Sequence, residues 1–156
     1  MKPGIHIGQS AEIEITVTPD MQASFGGGVV HQLFSTSSLI QHLEWAARKI
    51  IEPYLEPYEE AMGSHVEVSH LMLTLTGMNV RVKACVHEIR DKKVVCEVEA
   101  FNIRGKIARG TITQSIVEKA WLDKKMKEML LINQLSTQTR TASQSSQLDS
   151  GGTLMP

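Results

Sequence analysis

The 156-residue chain has only two cysteines, too few for the disulfide framework of a small secreted domain. No stretch reaches the roughly 18 consecutive apolar residues that a membrane-spanning helix needs. Charge of one sign is missing as well: the formal net charge is −1 and the pI is near 6.6. That balance speaks against a nucleic-acid binder, which carries a basic excess. The opening residues MKPGIHIGQS offer neither an apolar h-region nor a small-residue cleavage site, so no signal peptide is expected and the chain reads as cytoplasmic. What is present is ordinary: 42% hydrophobic and 21% charged residues, enough for one globular domain with a real core.

Hydrophobic periodicity orders the chain. Ala11, Ile13, Ile15 and Val17 alternate with Glu12, Glu14, Thr16 and Thr18, the period of a half-buried strand closed by Pro19-Asp20. Residues 21–34 show no clear period and contain Gly26 to Gly28, so a loop is expected there. Thr36, Ser37 and Ser38 then supply capping oxygens before Ile40, Leu43, Ala47, Ile50 and Ile51, a helical stripe that Pro53 ends. From Ser64 four strands follow. The first, apolar on both faces through His70 to Leu75, reads as a central one covered on both sides. Glu118 to Leu131 reads as a terminal amphipathic helix. The Ser/Thr/Gln-rich residues 132–156 are expected to be disordered beside a folded domain of 1–131.

Parity alone constrains one hairpin. Val86 must face Cys96 or Val98 to keep the apolar faces together, whereas a plain two-residue loop pairs it with Glu97. A three-residue turn or a bulge is therefore required. The same parity sets Cys85 and Cys96 on opposite faces, where they cannot bridge. The resulting order, with a long helix against a mostly antiparallel sheet, is an α+β arrangement.

Three residues invite chemistry. Glu44 falls within or at the rim of the helix stripe, where a carboxylate needs a partner, water or a raised pKa, although it could also lean out to solvent. His70 lies between Val68 and Met72, a position that suits a core histidine as well as a catalyst. Thr36 begins the helix, where capping is the plain alternative to a functional role. The remaining histidines and the two cysteines show no metal-ligand spacing, so no metal is expected. Gly26-Gly27-Gly28 lacks the lysine and hydroxyl of a phosphate loop.

Taken together, Thr36, Leu43-Glu44-Trp45-Ala46, Pro53-Tyr54-Leu55-Glu56-Pro57, Gly63 and Val68-Ser69-His70 resemble the fluoroacetyl-CoA thioesterase-like branch of the hotdog superfamily, and the similarity runs on through Gly77–Val86 to Gly110-Thr111. The resemblance implies a hotdog fold, a long helix wrapped by an antiparallel sheet, acting as a homodimer or a dimer of dimers. It implies hydrolysis of a short- or medium-chain acyl-CoA, with no cofactor beyond the coenzyme A of the substrate. By matched position it assigns catalysis to Thr36, Glu44 and His70, and the substrate pocket to Gly63, Phe34 and Val30. Glu44 would act as nucleophile or through water, and His70 would orient or protonate. Where the family's characterised member carries bulky aromatics over its acyl pocket, this chain has Phe25-Gly26-Gly27-Gly28-Val29-Val30, and Gln114 replaces a basic side chain. Fluoroacetyl selectivity is therefore not expected. A non-catalytic acyl-CoA-binding hotdog is the competing reading, disfavoured by the intact Thr36, Glu44 and His70. A hydratase lacks its aspartate–histidine signature here.

Overall fold

A computed structural model describes the backbone of residues 1–148 and the side chains of residues 1–138. The chain forms two compact units, Met1–Val117 and the segment from Glu118 onward. In the first unit the order is β1 (Ser10–Thr16), a short 3-10 turn, β2 (Gln22–Phe25), β3 (Gly28–Phe34), α1 (Thr36–Ile51), β4 (Glu59–His70), β5 (Asn79–Arg90), β6 (Lys93–Asn102) and β7 (Gly105–Glu118). The large sheet is ordered β1-β5-β6-β7-β4, and β2 and β3 form a separate hairpin. This is the α+β hotdog arrangement.

The alternating sequences pack as their period demands. Val80, Val82, Ala84 and Val86 of β5, with Val94, Cys96, Val98 and Ala100 of β6, are all buried on the face that receives α1. From the helix come Leu39, Leu43, Ala46, Ala47, Ile50 and Ile51. Leu43, Ala47, Ile50 and Ile51 of the expected stripe are buried and Ile40 is half-buried, while Leu39 and Ala46 widen the seam. Each fully buried Leu or Ile stabilises the fold by about 1.5–3 kcal/mol, so α1 is held by this seam rather than by propensity.

The β5–β6 hairpin turns through Asp91-Lys92, with Arg90 paired to Lys93 and Asp91 at φ 50°. A bulge between Val86 and Glu88 then brings Val86 opposite Cys96, as the parity argument requires. Cys85 and Cys96 are both free.

Two expectations fail in this unit. Residues 21–34 are not a loop: after the 3-10 turn they form the β2–β3 hairpin, bent at Gly26 and Gly27 with φ of 60° and 83°. Two register shifts in that hairpin erase the period that would have announced it. The first strand of the late series is not central either. It begins at Glu59, lies at the sheet edge against β7, and leaves strand geometry at His70. Leu71, Leu73 and Leu75, expected on a covered face, are more than half exposed. Gly110 permits the β7–β4 approach, since a Cβ there would collide with the Glu67 carbonyl oxygen.

In the second unit the terminal helix, α2 (Lys119–Leu148), does not stop at Leu131. No glycine or proline interrupts the chain before Gly151, and extending a formed helix adds a hydrogen bond for each residue fixed. The helix is described as far as Leu148, and the expected disorder of residues 149–156 lies outside the described part. No described helix is long and apolar enough to cross a membrane.

Candidate active site

The start of α1 is built by its cap. Ser35, nearly fully buried, accepts a hydrogen bond from the Ser38 amide at 3.1 Å. The cap is therefore Ser35, outside the expected Thr36–Ser38 set, and Thr36, as the first helical residue, keeps its hydroxyl free. That hydroxyl stands 3.0 Å from Nδ1 of His70, the last residue of β4, with the tautomer deciding which atom donates. Two residues 34 apart in sequence thus meet where the helix begins and the edge strand ends.

Burial lowers the pKa of His70 below the ordinary histidine value of 6.5, partly offset by the Met72 backbone. The imidazole is therefore neutral at pH 7, able to accept a proton. Its Nε2 is buried and has no hydrogen-bond partner among the described residues. Thr36 and His70 border a cleft of about 520 Å³, shared with Phe34, Ser35, Met72 and Leu73. Residues 23–25 and His31 of the β2–β3 hairpin complete its wall.

Glu44 lies elsewhere. Eight residues beyond Thr36 on the same straight helix, it is roughly 12 Å further along the axis. It is half-buried, at the rim of the apolar stripe, and its Oε1 accepts from Gln114 Nε2 at 3.3 Å. Gly63 of β4 makes room for this carboxylate, because a Cβ at that position would overlap Glu44 Oε1. One chain therefore brings the expected residues together as two clusters, Thr36 with His70 and Glu44 with Gly63, with no described hydrogen bond between them. Phe34 lines the cleft while almost fully buried, its ring centroid 5.9 Å from that of His42. Val30 is 62% exposed on β3 and is not among the residues lining that cleft.

Ser35 was not singled out in the sequence, and Gln114 only through the resemblance. Ser35 hid among four successive hydroxyl residues at the helix start, any of which could cap. Gln114, placed only by resemblance, carried a signal of its own: it is the polar member of an inward row between Ile112 and Ile116. No group of three His, Cys, Asp or Glu side chains among the described residues is arranged to hold a metal.

Residues 17–120 match the family model described as FlK, fluoroacetyl-CoA-specific thioesterase. The chain is 24% identical over 134 residues to the fluoroacetyl-CoA thioesterase of Streptantibioticus cattleyicolor, an alignment covering 82% of this chain and 96% of the relative. Among solved structures, a Thermus thermophilus hypothetical protein of the thioesterase superfamily superposes with a TM-score of 0.81 at 37% identity, covering 85% of this chain and 98% of that one. A variant of the fluoroacetyl-CoA-specific thioesterase solved with fluoroacetate and CoA superposes with a TM-score of 0.72 at 22% identity, over 76% and 99% of the two chains.

Proposed function

Since the chain belongs to the fluoroacetyl-CoA-specific thioesterase family and is an acyl-CoA thioester hydrolase, we propose that it cleaves a short- or medium-chain acyl-CoA to the free acid and CoA through Thr36, Glu44 and His70. The observation that carries this reading is the Thr36–His70 hydrogen bond at the edge of an open cleft. A thioester carbonyl needs a nucleophile or an activated water, and Glu44 supplies either. A neutral His70 takes up or returns the proton that this step moves, and Thr36 holds the imidazole in place. The N–H groups opening α1 are a ready donor for negative charge on the thioester oxygen. Fluoroacetyl selectivity is not part of the proposal. The hairpin beside the cleft presents Phe25, 77% exposed, and flexible glycines rather than a wall of aromatic side chains.

The protein acts as a cytoplasmic homodimer in this reading, because the two clusters need a second copy to meet. β4 is a twelve-residue edge strand with Met62 and Val66 partly exposed and no proline to discourage pairing. Antiparallel pairing of β4 with its twofold mate, about Val66 or Glu67, brings the Gly63 end of one strand alongside the partner's His70. Gly63 carries Glu44 beside it, and His70 carries Thr36. Each dimer then holds two composite sites. Catalysis is assigned to residues 1–131, with the chain beyond them dispensable for turnover.

The test is thiol release from acetyl-, fluoroacetyl-, butyryl-, hexanoyl- and phenylacetyl-CoA, with Glu44→Gln run alongside. Turnover of at least one ester, abolished in a Glu44→Gln protein of unchanged fold, is expected. Full activity in the variant would remove Glu44 from the mechanism. Single turnover in oxygen-18 water separates direct attack by Glu44, which leaves label in its carboxylate, from attack by water.

A further inference from the structure

Gln114 is out of place on energetic grounds. It is 1% exposed, and along the inward face of β7 its neighbours are Ile112 and Ile116, at 0% and 3%. An apolar side chain would suit that row. The amide instead points Nε2 at Glu44 Oε1, 3.3 Å away, and leaves its own carbonyl oxygen buried with no donor among the described residues. A buried acceptor without a donor destabilises a fold. The orientation is nevertheless dictated: turned the other way, the carbonyl would face a carboxylate oxygen and repel it. Natural proteins keep such costs where activity requires them.

Gly63 supplies the second half of the argument. Its missing side chain opens a slot that the Glu44 carboxylate fills. The Gly63 backbone and the Gln114 amide thus bound the same carboxylate from two strands, β4 and β7, while α1 supplies its stem. A glutamate on a helix surface ordinarily samples several rotamers.

We infer that Gln114 is a positioning residue for hydrolysis, its amide N–H holding Glu44 in the one orientation from which the carboxylate reaches the thioester. This rests on the reading that Glu44 takes part in the reaction, and it applies equally to direct attack and to activation of water. Gln114 acts through Glu44.

Two substitutions test it in the full-length protein, with Glu44→Gln as the control. Gln114→Met keeps length and volume and removes the amide. Its melting temperature is expected to equal or exceed that of the parent, because the unpartnered carbonyl goes with the amide. Its kcat is expected to fall by about 10- to 100-fold, with KM changed less than about twofold. Gln114→Glu sets a second carboxylate against Glu44, so the acid limb of the kcat/KM profile moves to higher pH as the pair retains a proton. An unaltered kcat in Gln114→Met, or a loss that only follows a lowered melting temperature, overturns the positioning role. So does an unmoved acid limb in a folded Gln114→Glu. If Glu44→Gln is itself active, the underlying reading falls and this inference with it. An inactive Glu44→Gln beside a fully active Gln114→Met overturns the inference alone.

Discussion

β4 and β5 are both twelve residues long and both carry apolar side chains, yet they meet opposite fates. β5 lies between β1 and β6, and Val80, Val82, Ala84 and Val86 vanish beneath α1. β4 has β7 on one side and no described strand on the other, and its residues from Met62 to Glu67 are exposed. Apolar content alone does not distinguish them; position in the sheet does. A β5 residue is committed to stabilising the monomer. Apolar side chains of β4 remain uncovered in one chain, and the strand touches both of the proposed catalytic clusters.

The comparison breaks if the two strands respond alike to a charge. Val82→Asp buries an unpaired carboxylate in the centre of the core, at a cost comparable to the roughly 5–15 kcal/mol that holds a typical domain together. No cooperative melting transition is expected. Val66→Lys, on the exposed edge, is expected to leave the circular dichroism spectrum intact, convert the dimer to a monomer in light scattering, and abolish turnover. A folded, active dimer carrying Val66→Lys would show that the edge is not the seam.

His70 sharpens the contrast, for it closes β4 yet is shielded. His70→Ala is expected to lower kcat by on the order of 10²–10⁴-fold through lost proton transfer. The sign of the pH dependence follows from its depressed pKa. Protonation is deferred to more acid conditions than for a free histidine, so the activity limb due to His70 lies below pH 6.5. The unfolded chain binds that proton more readily, so stability from this group is held above about pH 6.5 and falls as the pH drops below it. Both limbs are measurable, from kcat/KM and from melting temperature against pH, and neither should survive unchanged in His70→Ala.

The smallest effect belongs to the cysteines. Cys96 is fully buried on the β6 face beneath α1, and burial, with the charge of Cys85 adding to it, pushes its thiol up to about 12. In the native protein Cys96 is expected to resist a disulfide reagent that labels it at once in denaturant. Rapid native labelling of Cys96 would mean that the β5–β6 core opens readily.

How far the sequence disclosed this molecule follows the same division. Strands β1, β5 and β6 were legible because each buries one face, so a period of two is written into them. The bulge before Glu88 was legible from parity alone. The β2–β3 hairpin was not: its register shifts and exposed side chains leave no period to read. β4 was misread as central because its apolar residues fall on both faces, as in an interior strand, although it lies at the sheet edge. The helix bounds beyond Leu131 were not legible, because a Ser/Thr/Gln-rich composition carries no apolar period by which to follow a helix. Thr36, Glu44 and His70 were each ambiguous alone, and only their joint spacing carried meaning. No spacing along one chain could reveal that Glu44 belongs to a different cluster from the other two.

That separation is the point on which the account stands. Glu44→Gln and His70→Ala proteins, each inactive as a homodimer, should be mixed, reassorted through unfolding and refolding, and assayed for thiol release. In sites shared across the β4 seam, half of the sites in every mixed dimer are intact, and about a quarter of parental activity returns after random reassortment. If each protomer carries a complete site of its own, every site in the mixture keeps one defect. No recovery, in a mixture shown to contain mixed dimers, would contradict the composite site.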